Sequence, residues 1–318
     1  MLRSSAGAVV ALVLGLAAAR AEPLTVAVTS IVDHPALNAV RDGVKDGLAR
    51  SGFSEPDKVR IVFESAQGQP ATAVQIARQF VGQKPAAIVA ISTPSAQAAV
   101  AATKDIPVVF SAVTDPVGAQ LVRSLDKPGA NVTGVSDMSP VADQVALVKE
   151  MTPNVKRLGV LYNPGEPNSV TSVKMLKEAA AKHGMSVVEG PANKSADVQA
   201  AARALVGKVD AVYVPTDNTI VSAFESAVGV LQAAKLPLYA GDTDSVPRGA
   251  VAALGFNYRQ VGVQTGEVVA RILKGEKAGE VPVVFAAGTD LYLNKKAAAA
   301  IGLALSDALV KRATKIVE

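Results

Sequence analysis

The 318-residue chain reads as an α/β protein of two doubly wound, parallel-sheet lobes. Three observations carry that reading. Short β-branched runs alternate with helical stretches from residue 24 onward, the pattern of stacked βαβ units. The alternation begins afresh after 131–135, so the chain holds two similar halves. Clusters of Ser, Thr, Asn and Asp follow the strands, at the carboxyl edge where open parallel sheets bind ligands.

The first half opens with an apolar run of strand length, 24–29, ending in a turn through Ser30, Asp33, His34 and Pro35. Leu37, Val40, Val44 and Leu48 recur at helical spacing, and Gly52 closes that helix. A strand is expected over 59–63, then a helix with Ala73, Ile76, Ala77 and Phe80 on one face. Residues 87–91 are uncharged on both faces, which predicts a central strand. It runs into Ser92, Thr93, Pro94 and Ser95 and an alanine-rich helix. A fourth strand, 107–110, leads to Thr114, Asp115 and Pro116.

In the second half a helix carries Val141, Val145 and Val148 and is broken by Pro153. Strand 157–162 ends in a polar turn holding Asn163, Asn168 and Ser169. A helix through Val173, Leu176 and Ala180 stops at Gly184. Strands follow at 185–188, at 211–214 with Thr216, Asp217 and Asn218 at its tip, at 236–239 before Asp242, and at 251–254 before a helix to Leu273. Residues 281–285 and 289–293 read as a last strand and linker. The absence of a low-complexity linker fits several passes between lobes rather than one tether.

The N-terminus carries an expected export signal. Arg3 precedes an apolar run over 6–19, and Ala19 and Ala21 present small residues for cleavage before Glu22. The run is short of the roughly 20 apolar residues a membrane anchor needs, and no cysteine follows for lipid attachment. The roughly 300 residues beyond suit two domains. With Arg3 and Arg20 set aside, the basic residues nearly balance the 28 acidic ones, and no Lys/Arg cluster occurs. That disfavours nucleic acid and anionic membrane as partners. The chain has no cysteine, which excludes disulfides and thiol chemistry. Two distant histidines argue against a histidine metal site, and no Walker A, GxSxG, HExxH or CxxC pattern occurs. No catalytic residue, metal site or cofactor is therefore expected. Asp242 and Asp244 are an acidic pair of the spacing common in structural loops.

Ser30, Ser92, Thr93, Ser95, Thr114 and Asp115 form the polar set of the first half. Asn163, Asn168, Ser169, Asp217, Asn218 and Asp242 form that of the second. Hydroxyls beside free N–H groups at helix N-termini suit a carboxylate, and a buried aspartate suits an ammonium. A cleft with both would receive a zwitterion such as an amino acid. Ser92, Thr93 and Thr114 are assigned to the carboxylate, and Asp217 or Asp242 to the ammonium. The same residue types are standard N-caps, so spacing alone leaves capping and ligand contact both open. His34 is expected at the pocket rim, and His183 at a helix C-terminus. Tyr162, Tyr213, Tyr239, Phe256 and Tyr258 read first as core. The lack of tryptophan tilts against a sugar site, and an apolar wall for an amino-acid side chain stays open.

Taken together, the tips at 29–38, 92–97, 114–118, 134–137, 162–169, 215–218 and 240–242 resemble the ABC-transporter substrate-binding proteins of the tryptophan/phenylalanine-binding kind. The resemblance covers the whole chain after residue 21. It implies the type I periplasmic-binding-protein fold, two lobes joined by a three-crossover hinge. One lobe would comprise 22–136 plus 259–288, and the other 137–258 plus 289–318. It further implies a periplasmic monomer that closes on a solute, an aromatic amino acid being favoured, and delivers it to a permease and its ATPase. The readings kept beside it are a binder of a nucleoside, sugar or branched-chain amino acid, an exported enzyme, and a sensory module presenting ligand to a receptor.

Overall fold

Residues 22–318 are described by a computed structural model, so the expected export signal lies outside the described residues. The chain runs β1 (Leu24–Ser30), α1 (Pro35–Arg50), β2 (Val59–Ser65), α2 (Pro70–Gln83), β3 (Ala87–Ile91), α3 (Thr93–Ala102), β4 (Val108–Val113) and β5 (Val132–Ser136). It continues through α4 (Val141–Met151), β6 (Arg157–Tyr162), α5 (Pro167–Lys182), β7 (Ser186–Pro191), α6 (Val198–Leu205), β8 (Ala211–Val214), α7 (Asn218–Ser222), α8 (Phe224–Ala233), β9 (Leu238–Ala240) and β10 (Ala252–Gly255). It ends with α9 (Tyr258–Leu273), β11 (Val284–Phe285), β12 (Asp290–Asn294), α10 (Lys295–Ile301), α11 (Asp307–Arg312) and β13 (Lys315–Val317).

Two sheets result. One has the order β11-β5-β4-β3-β1-β2, the other β13-β12-β10-β9-β8-β6-β7. All pairings in the first are parallel. β3 lies between β1 and β4, and all its residues are buried, as its two apolar faces require. The second sheet is parallel except where β12 runs antiparallel to β10.

The chain crosses between sheets three times: β5 to α4, β10 to α9, and β11 to β12. Residues 281–285 and 289–293, expected as one strand and a linker, thus belong to different sheets. The closing α10, α11 and β13 complete the second lobe. The crossings are laced together near the cleft, where Ala286 N–H donates to Ser136 O at 2.8 Å and Tyr258 Oη donates to Asp137 Oδ2 at 2.7 Å.

One core packs residues from β1–β5 with α9 and the segment around 281–283, although α9 follows the entire second sheet in sequence. α1 and α9 cross with their backbones in contact. A Cβ added at Gly262 would lie 2.1 Å from Val40 O, and one at Gly43 2.0 Å from Arg259 O. Glycine is needed here for close approach rather than for a special turn. Apolar clusters on β6–β10, β12 and their helices fill the second lobe.

Candidate functional site

The carboxyl ends of the two sheets face each other across a cavity whose lining atoms leave about 360 Å³ of space. One wall holds His34, Ala36 and Leu37 from the start of α1, Ser92 and Thr93 from the start of α3, and Ala112 and Thr114 from the end of β4. The other holds Asn168 from α5, Thr216, Asp217, Asn218 and Val221 around the start of α7, and Asp242. Asp137 and Tyr258, from two of the three crossings, form the floor.

Polar atoms without partners concentrate here. Among the described residues, His34 Nδ1, Ser92 Oγ, Thr93 Oγ1, Asn168 Oδ1 and Thr216 Oγ1 are buried with no hydrogen bond in the protein, and all five residues line the cavity. An orphaned buried polar group costs about 1–3 kcal/mol, so such a cluster is tolerable where a polar guest satisfies it. The backbone tells the same story. Ser92 has φ +77° and Ala112 φ +52°, a region non-glycine residues avoid and which concentrates at functional sites. Ala112 sits at the register shift between Ser111 and Val113. Ser92 precedes α3 without capping it by its side chain, and α1 likewise starts at Pro35 after an uncapping His34. Their first-turn N–H groups therefore remain available to an anion.

The three cavity carboxylates are not equivalent. Asp217 is fully buried and accepts from Asn163 N–H at 2.5 Å, Ser169 Oγ at 2.6 Å and Ile220 N–H at 2.8 Å. Burial and the neighbouring Glu166 carboxylate push its pKa up to about 8. Asp242 takes both the N–H and the hydroxyl of Ser245, at 2.9 and 2.7 Å. Both are caps whose oxygens are occupied by their own lobe. Asp137 takes the Tyr258 hydroxyl, its own backbone N–H and a long 3.4 Å bond from Thr114 Oγ1. Burial raises its pKa, opposed by the Tyr258 hydroxyl.

Of the residues singled out in the sequence, Ser92, Thr93, Thr114, Asn168, Asp217, Asn218 and Asp242 meet at the cavity. Ser169 stands behind it, holding Asp217. Asn163 lines the outer cleft, a larger opening of about 1,540 Å³ shared by both lobes. Ser30 turns its hydroxyl to Val32 O, and Asp115 caps a turn through Gly118 N–H. Ser95, in the first turn of α3, is buried and does not line the cavity. His34, expected at the rim, is 8% exposed inside, where burial and then Arg248 lower its pKa to about 3. Asp137 and Tyr258 were missed as site residues. The polar turn after strand 132–136 was the available signal for Asp137, and the aromatic character of Tyr258 pointed to core instead.

A two-lobed α/β scaffold with a polar interlobe cavity defines a solute-binding protein. Residues 25–317 match the family described as ABC transporter substrate binding protein, and the chain belongs to it. This is a family of binding proteins that hold a small ligand and work with an ABC permease. A tyrosine-binding protein of Clostridioides difficile is 42% identical over 270 residues, 85% of this chain and 78% of that protein. An ABC domain from Streptococcus pneumonia in complex with L-Trp is 37% identical, with TM-score 0.90 over 93% of this chain and 100% of the other. A ligand-free, open substrate-binding protein with adhesive properties from Clostridium difficile is 39% identical, with TM-score 0.70 over 92% and 99%.

Proposed function

We propose that the protein is the exported receptor of an ABC importer for aromatic amino acids. The observation that carries this is the set of unpartnered hydroxyl, amide and imidazole atoms in the closed interlobe cavity. The names of the similar proteins, binders of tyrosine and of L-Trp, supply the ligand class. The carboxylate is held by the Ser92, Thr93 and Thr114 hydroxyls with the first-turn N–H groups of α1 and α3. The ammonium goes to Asp137, whose Oδ1 accepts from Thr114 Oγ1 only at a long 3.4 Å. Leu37, Val221 and the Tyr258 ring give the side chain apolar surface.

Capture works by closure of two bodies, 22–136 plus 259–288 and 137–258 plus 289–318, about the three crossings. At nearly equal identity, the fold matches the L-Trp complex far better than the ligand-free open structure, which supports reading the present arrangement as closed. Among the described residues no ion pair joins the two lobes, so ligand contacts to both walls supply the bias toward closure. The closed form is what a permease with its ATPase would engage. The receptor acts as a periplasmic monomer without catalysis, after loss of the segment ending at Ala21.

Calorimetry tests the assignment. The wild-type protein binds L-tyrosine or L-tryptophan, and Asp137→Asn weakens that binding ten- to a hundred-fold through loss of a charge-assisted contact. Unchanged affinity in Asp137→Asn overturns the ammonium site, and no binding of any aromatic amino acid overturns the ligand class.

A further inference from the structure

His34 and Asn218 begin helices on opposite walls, and each is followed three residues later by an apolar cavity residue, Leu37 and Val221. Residues three apart share a helix face. His34 also meets the Asn218 side chain across the cleft. The imidazole therefore lines the same cavity as Leu37 and Val221, the aliphatic groups offered to the side chain of an amino-acid ligand.

The hydrogen-bonding role of that imidazole follows from its neighbours. Glu166 Oε2 accepts from Asn218 Nδ2 at 2.5 Å and from Asn218 N–H at 3.1 Å. A carboxylate in that place fixes the amide with its nitrogen toward Glu166. Asn218 then has its Oδ1, an acceptor, left for His34. Burial and the nearby Arg248 charge keep the ring neutral, so it has one N–H to give. Nδ1 is buried without a partner, and with the single N–H on Nε2, the nitrogen left for Asn218, Nδ1 presents a lone pair to the cavity.

We propose that His34 is a specificity-determining residue whose Nδ1 accepts a hydrogen bond from a donor on the ligand's aromatic ring, a phenol O–H or an indole N–H. The receptor thereby prefers tyrosine and tryptophan to phenylalanine. This rests on the aromatic amino-acid reading above. A site built to meet a polar group rejects the analogue lacking it, because its own atom stays orphaned.

The test is calorimetry of wild type, His34→Leu and His34→Gln with L-tyrosine, L-tryptophan and L-phenylalanine. His34→Leu is expected to lose about tenfold on tyrosine and tryptophan and to hold phenylalanine within about twofold. His34→Gln, which keeps an acceptor, recovers part of the loss. Wild-type protein with tryptophan methylated on the indole nitrogen gives a readout independent of any variant's folding, and about a tenfold loss against tryptophan is expected. An equal loss on all three amino acids in His34→Leu, or none on any, overturns the proposal while leaving the aromatic reading intact. Failure of the wild type to bind any of the three overturns that reading, and this proposal with it.

Discussion

Ser92 combines two features that pull in opposite directions. Its φ of +77° costs stability in any residue with a Cβ, and its unpartnered hydroxyl serves the cavity. Ser92→Gly is expected to raise the unfolding free energy by about 1 kcal/mol while weakening ligand binding. Urea denaturation and calorimetry measure the two effects separately, and a variant both less stable and unimpaired in binding contradicts the assignment. At this scale the sequence was partly legible. Ser92, Thr93 and Thr114 were found because a strand tip before a helix is recognisable from pattern. The acids were harder, since Asp217, Asp242 and Asp137 differ only in which donors their surroundings supply. Those donors come from residues as distant as Ser169 and Tyr258, which no local spacing reports. His34 was expected only at the rim for the same reason: Asn218 and Arg248, which act on its ring, belong to the opposite lobe.

Among elements, α1 and α9 have the tightest relation in the molecule. Both begin at the cavity, with His34 and Tyr258, and run together with Gly43, Gly47, Gly262 and Gly266 at the crossing. Gly262→Ala forces the helices apart, since its Cβ would meet Val40 O at 2.1 Å. A loss of about 2–3 kcal/mol of stability is expected, with weaker ligand binding because both helix starts move. Thermal and urea denaturation check the first part and calorimetry the second. The elements themselves were largely readable, because buried parallel strands are continuous apolar runs and helices announce their faces by period. The C-terminal part was not. β11 has two residues and β13 three, too short for periodicity. The antiparallel β12 is selected by its pairing to β10, not by composition.

For the whole molecule, closure depends on what lies inside the cleft, since among the described residues no ion pair joins the two lobes. Small-angle scattering is expected to show a radius of gyration that falls on adding L-tyrosine or L-tryptophan. An unchanged profile at saturation contradicts the two-body mechanism. The doubled α/β pattern made two lobes legible in the sequence, since each half repeats the same alternation. Which segments pass between them came only from the family resemblance, because a crossing strand and a terminal strand look alike until both sheets exist.

A cleft closed without surface charge pairs also has an environmental consequence. Dissolved salt screens attractions between exposed charges, and among the described residues no close ion pair spans the gap for it to weaken. Capture is therefore expected to change little between dilute and concentrated salt, which calorimetry at the two ionic strengths would measure.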